Sequence, residues 1–168
     1  MSKLTGIFVA AALGLSGPAH ADTAAAVPGG PVPTVLSGAQ EVPTVVTDTT
    51  GQVRLRFNRA LSQISFALVV RNGVQVIQAH LHCARAGVNG PVVVFLFGPA
   101  APPVDVNGLL ARGTIENEHV VPEGPTDVCP VAINNVASLF QAARDGLIYA
   151  NVHTTANPGG EVRGQVFP

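Results

Sequence analysis

Hydrophobic and polar residues alternate over much of the chain after residue 34, with the two-residue period of a β-strand that has one buried face. Val53, Leu55 and Phe57, for example, alternate with arginine and asparagine residues. Segments with this pattern recur at short intervals and are separated by Gly, Pro and Asn. The pattern predicts an all-β fold, either a Greek-key or immunoglobulin-like β-sandwich or a barrel.

The turn residues divide this region into strands. A hairpin is predicted at residues 58–62, and Asn72-Gly73 is predicted to end its second strand. Residues 74–83 alternate again, and the Asn-Pro-Gly-Gly sequence at 157–160 predicts a C-terminal β-hairpin.

One short helix is predicted before that hairpin, over residues 134–146. An asparagine stands at the expected N-cap and Gly146 at the expected C′ position. Apolar residues follow at i, i+3, i+4 and i+7, namely Val136, Leu139, Phe140 and Ala143.

The start of the chain has the composition of an export signal. Lys3 precedes a short apolar run, and an Ala-His-Ala cleavage sequence ends at Ala21, so residues 1–21 are predicted to be a signal peptide. Residues 22–34 are rich in Ala, Pro and Gly and predict a flexible linker. The ordered β domain is expected over residues 35–168, in a periplasmic or secreted protein without a membrane span.

Charge and cysteine content narrow the function classes. The formal net charge is −1, and the chain has no basic stripe of the kind that binds nucleic acid. With nucleic acid excluded, the expected partner is a small anion or a protein. In an oxidising compartment Cys83 and Cys129 are expected to form a disulfide. Cys83 is disfavoured as a thiolate metal ligand because it faces away from the neighbouring His82.

His80 and His82 are separated by one residue, so on a strand their imidazoles share one face while Leu81 points to the other. Two imidazoles in this position supply two of the ligands that a copper or zinc site needs. The alternative is that they are two polar residues on a solvent-exposed strand face.

His153 is the candidate third ligand, provided that the C-terminal hairpin pairs beside the strand of His80 and His82. Its alternative role is a hydrogen bond that fixes the turn. His119 is a candidate fourth ligand and, alternatively, a solvated loop residue.

Polar residues near the hairpin form a second group. Glu161, Arg163 and Gln165 share a strand face, and Asn151 shares a face with His153. An Arg163–carboxylate pair is expected to lock the hairpin. In the alternative interpretation, Asn151 and Glu161 hydrogen-bond to a ligand histidine.

Three stretches of the chain carry a family resemblance: "LSGAQEVPTVVTDTTGQVRLRF", "QAHLHCARAGVNGPVVVFLF" and "GLIYANVHTTANPGGEVRGQV". They resemble the CHRD domain, first named in chordin, over about Val35 to Phe167. The resemblance implies an immunoglobulin-like or Greek-key β architecture with an ill-defined biochemical role. The family's histidines correspond to His80, His82 and His153.

A looser resemblance is to copper-zinc superoxide dismutase, an exported Greek-key barrel with an H-x-H strand and an intrachain disulfide. It implies a copper-only enzyme in which Arg163 steers the anion, since the chain has no His-rich zinc loop. Two functions therefore stay open. One is a protein that binds copper, or zinc, through three histidines, in copper handling or superoxide chemistry. The other is a metal-free β-sandwich binding module.

Overall fold

The computed structural model describes residues 32–166 and confirms the all-β prediction. One α-helix, α1, spans Val136–Arg144, and short 3-10 turns lie at Gly38–Gln40 and Asn117–His119. The strands are β1 Val32–Ser37, β2 Thr50–Phe57, β3 Gln63–Cys83, β4 Val92–Phe97, β5 Val104–Glu116, β6 Ile148–Thr154 and β7 Val162–Val166.

The predicted signal peptide, residues 1–21, and most of the predicted linker lie outside the described residues. The last part of that linker, residues 32–34, belongs to β1 and pairs with β2. Thr34 and Leu36 both point inward and are buried, which continues the two-residue period past the expected start at Val35. Pro33 is tolerated because this part of β1 has a paired strand, β2, on one side only, whereas β7 pairs with β1 at Ser37.

All strand pairings in this sheet are antiparallel, in the order β2-β1-β7-β6-β3-β4. The 21-residue strand β3 closes the arrangement because it has two sets of neighbours. Its first half pairs with β2 and β5, and its second half pairs with β6 and β4. The sheet therefore returns to itself as a barrel, and the C-terminal hairpin β6–β7 lies directly beside the second half of β3.

The predicted turn at Asn72-Gly73 is wrong as a strand end. Asn72 and Gln75 have φ values of 52° and 50°, and the register with β5 shifts on both sides of Gly73. Pairing with β5 nevertheless continues on to Val76, so the positive-φ residues bend the strand instead of reversing it. The result is one long strand that carries the chain from one part of the barrel to the other.

Helix α1 confirms the predicted helix. Asn135 is the N-cap, and its side chain accepts a hydrogen bond from the Ser138 backbone N–H at 2.8 Å. Gly146 has a φ of 70° at the C-terminal end. The buried face is formed by Val136, Leu139, Ala142 and Ala143.

The predicted disulfide is confirmed. Cys83 and Cys129 are bonded with a Cα–Cα distance of 5.4 Å and a sequence separation of 46 residues. The bridge ties the end of β3 to the loop before α1. A crosslink of this span lowers the entropy of the unfolded chain and thereby stabilises the folded state by about 4 kcal/mol. Among residues 32–166, no helix has the length and apolar character that crossing a bilayer requires.

Candidate metal centre

The pairing of β6 with β3 brings the predicted histidines together. His80 lies opposite Asn151, and His153 lies opposite Gln78 on the same pair of strands. His82 lies opposite Tyr149. Because alternate residues share a face, the three histidines project from one side of the sheet, as the sequence analysis required of a shared site.

The three imidazoles are close enough to share one ion. One nitrogen from each of His80, His82 and His153 can be chosen so that all lie within 4.8 Å of one another. His80 Nδ1 and His153 Nε2 are 3.1 Å apart and share a hydrogen bond, which an ion bound to His153 Nε2 would replace. Nitrogens bound to a common ion at about 2.0–2.1 Å are separated by roughly 3–4 Å, so the widest gap must close by about 1 Å.

Backbone carbonyls fix the protonation of two rings. His82 Nδ1 lies 3.0 Å from the Gly90 carbonyl oxygen, and His153 Nδ1 lies 3.0 Å from that of Pro158. A carbonyl oxygen only accepts, so each Nδ1 carries the proton and each Nε2 presents its lone pair. Orientation of a ligand histidine through its other ring nitrogen is the usual arrangement around protein-bound metals.

Two of the ring nitrogens have no hydrogen-bond partner within residues 32–166. Since His153 Nε2 is an acceptor, His80 Nδ1 donates to it, and His80 Nε2 keeps a lone pair. His80 Nε2 and His82 Nε2 are buried and lack a hydrogen-bond partner among the described residues. Unpaired buried polar atoms are costly, and a metal ion is one species that would satisfy them.

Burial keeps the histidines neutral. It lowers the pKa of His80 and of His82 to about 4, and the neighbouring histidines lower both further. Burial also lowers the pKa of His153, against the hydrogen bond to Pro158. All three are therefore neutral imidazoles at pH 7, which is the form that binds metal ions.

Arg163 is buried beside Tyr149 and the loop of residues 88–89. It is only 2% exposed, and it donates hydrogen bonds to the Val88 carbonyl at 2.8 Å and to Asn89 Oδ1 at 3.0 Å. Its guanidinium carbon lies 3.8 Å from the centre of the Tyr149 ring. The role of Arg163 in steering an anion stays a prediction.

Tyr149 connects Arg163 to the histidines. Its ring is stacked on that of His82, with centroids 4.8 Å apart and planes 7° from parallel. Because β3 and β7 flank β6 on opposite sides, His82 and Arg163 approach Tyr149 from opposite sides. We refer to these residues as the Arg163–Tyr149–His82 stack.

Glu161 holds the hairpin turn. It accepts hydrogen bonds from Thr154 at 2.8 Å, from Asn157 at 2.5 Å and from Thr47. Burial raises the pKa of Glu161, but these hydrogen bonds outweigh burial and hold its pKa below the ordinary value. The carboxylate thus serves the turn through hydroxyl and amide groups, and not through the predicted pair with Arg163.

Asn151 contacts an acidic residue that the sequence analysis missed. Its Nδ2 donates to Glu41 Oε1 at 2.6 Å, while its Oδ1 is buried without a partner among the described residues. Burial raises the pKa of Glu41 to about 7, although the charge of Arg163 lowers it. A Cβ at Gly160 would lie 2.6 Å from both Glu41 Oε2 and Asn151 Nδ2, so this position has room only for glycine. The one sequence signal for Glu41 is its place in the family-like stretch "GAQEVP".

His119, the candidate fourth ligand, lies apart from the histidine cluster. It is exposed at the end of the second 3-10 turn, and its Nδ1 accepts the Glu116 backbone N–H at 3.0 Å. Within residues 32–166, His153 alone joins His80 and His82 in the cluster that could hold a metal ion.

Comparison with protein families matches residues 32–166 to the CHRD domain. No curated protein matches the chain, and no solved structure matches it. The matched range includes every strand described above, the disulfide and all three clustered histidines. The chain therefore belongs to the CHRD domain family.

Proposed function

We propose that this chain is an exported protein that binds one copper ion through His80, His82 and His153. The observation that carries the proposal is the convergence of three buried imidazoles whose ligand atoms lie within 4.8 Å of one another. Two of the rings are oriented by backbone carbonyls so that Nε2 is free of a proton. The disulfide fits an oxidising compartment, which is the periplasm or the exterior of the cell.

Copper is favoured over zinc by the ligand chemistry. Imidazole nitrogen suits both ions, but divalent copper binds a given nitrogen site more tightly than zinc. Zinc is the second candidate, because three histidines and one open position are also a zinc ligand set. Copper, when bound, would supply one-electron redox chemistry.

The burial of the cluster favours copper handling over superoxide dismutation. His80, His82 and His153 are 3%, 8% and 5% exposed, so the protein shields an ion at this position from solvent. Dismutation requires that superoxide reach the ion, whereas holding an ion does not. The neutral imidazoles bind it, and the carbonyls of Gly90 and Pro158 keep two rings in place.

The test is copper loading of the full chain. We expect titration with copper to saturate at one ion per chain and to shift the imidazole NMR signals of the three clustered histidines before that of His119. Zinc, titrated under the same conditions, is expected to compete for the same site. Failure to bind either ion in a saturable way would contradict the proposal and leave a metal-free binding module.

A further inference from the structure

We infer that the Arg163–Tyr149–His82 stack makes the three-histidine centre selective for monovalent copper over divalent copper and zinc. The inference rests on the proposed copper site and assigns it a preferred oxidation state. It makes Arg163 a specificity-determining residue that acts on the ion through charge, without binding it.

The stack places a fixed cation beside a ligand ring. The Arg163 guanidinium carbon lies 3.8 Å from the Tyr149 ring centre, and that ring is stacked on the ligand His82 at 4.8 Å. A guanidinium stays protonated at any pH at which the protein is folded. One aromatic ring therefore separates a permanent positive charge from the metal-binding cluster.

Solvent and hydrogen-bond partners do little to neutralise this charge. Arg163 is 2% exposed, and its recorded hydrogen bonds run to the neutral Val88 carbonyl and the neutral Asn89 amide oxygen. The Glu161 carboxylate is engaged by the hydroxyls of Thr47 and Thr154 and by the Asn157 amide.

Glu41 is the nearby carboxylate that interacts with the charge of Arg163. It is 5% exposed and is held by Asn151 at 2.6 Å. Burial works against its ionised form, so it offsets the guanidinium only in part.

The positive charge of Arg163 acts differently on monovalent and divalent ions. Three neutral imidazoles bring no negative charge to the site, so the charge of a bound ion is not balanced by its ligands. In a buried environment with weak screening, a divalent ion is repelled by the neighbouring cation twice as strongly as a monovalent one. It also loses more hydration energy on entering.

The experiment measures the ratio of the dissociation constants for Cu(II) and Cu(I), each obtained by chelator competition, with Cu(I) kept reduced under anaerobic conditions. For Arg163→Gln we expect this ratio to fall at least tenfold, which equals a 59 mV drop in the one-electron potential per tenfold change. The matched control is Arg85→Gln, which removes the same charge from an exposed position on the loop that holds Val88 and Asn89. Its ratio should stay within twofold of the wild-type value.

Two further variants separate charge from packing. Arg163→Lys keeps the charge and should hold the ratio within threefold of wild type. Glu41→Gln, measured at pH 8, removes the opposing carboxylate and should raise the ratio at least threefold, and it decides the question if Arg163→Gln does not fold. An unchanged or opposite ratio in the folded variants overturns the inference. Absence of copper binding in the wild type would instead overturn the three-histidine proposal.

Discussion

Replacing His82 by alanine is expected to weaken copper binding by at least 100-fold. The substitution removes one of the three proposed ligands, and the described residues bring no fourth histidine to this cluster. Loss of an outer-shell partner alone typically costs about 10–100-fold in metal affinity, so loss of a ligand should cost roughly 100-fold or more, or about 2.7 kcal/mol. Competition with a copper chelator of known affinity measures the change.

The matched control for this variant is His119→Ala. His119 is exposed and lies outside the cluster, so its removal should change copper affinity less than twofold. His153→Ala should behave like His82→Ala, because its Nε2 carries a lone pair and belongs to the cluster proposed to bind the ion. Equal affinities in His82→Ala and the wild type would show that copper binds elsewhere.

Acidification is expected to destabilise the metal-free protein by about 2 kcal/mol between pH 7 and pH 4.5. The folded pKa of His80 and of His82 is about 4, whereas the unfolded value is 6.5. Above pH 6.5 neither state binds these protons, so the pair does not affect stability. As the pH falls from 6.5 to about 4, the unfolded state takes up protons that the native state excludes, and the two histidines together cost about 5 kcal/mol by pH 4.5.

Glu41 acts in the opposite direction. Its folded pKa of about 7 lies above the ordinary value of 4.5, so it favours the folded state below pH 4.5, and this contribution is lost as the pH rises through 7. Acidification from pH 7 to pH 4.5 therefore recovers about 3 kcal/mol through Glu41, which leaves the net loss near 2 kcal/mol. His153 adds to the loss because its pKa is also lowered by burial.

Urea unfolding at pH 7 and pH 4.5 measures these contributions. The double substitution of His80 and His82 by glutamine should remove this loss of stability on acidification. The free energy of unfolding should then stay constant or rise toward pH 4.5. Glu41→Gln should increase the loss of stability on acidification by about 3 kcal/mol. His119→Gln, at an exposed position, is the control and should follow the wild type. If the double substitution left the loss of stability on acidification unchanged, the origin of that loss would lie outside the cluster.

The sequence could predict those features of the site that follow from the two-residue period of its strands. Alternation places His80 and His82 on one face of a strand, and the turn sequence at 157–160 predicts the hairpin that carries His153. The sequence could not establish that β6 pairs with β3, because a strand pattern specifies a buried face and not a neighbour. For that reason the meeting of the three histidines was a condition of the hypothesis.

The remaining features depend on long-range packing. The carbonyls of Gly90 and Pro158 orient two rings. Every residue has a backbone carbonyl, so the residue types in the sequence do not indicate these contacts. Arg163 alternates like a surface residue in the sequence, yet Val88 and Asn89 cover it in the fold. Asn72-Gly73 has the composition of a turn, but continued pairing with β5 makes it a bend within β3. In each case a partner distant in sequence decides the outcome.

X-ray absorption at the copper edge of the loaded full chain is the most direct test of the central claim. We predict three histidine nitrogens at about 2.0 Å from the ion, with the multiple-scattering pattern of imidazole rings. That pattern should fall to two rings in His82→Ala loaded at high copper concentration. A shell of sulfur or carboxylate oxygen ligands, or a histidine count that stays at three in the variant, would contradict the account.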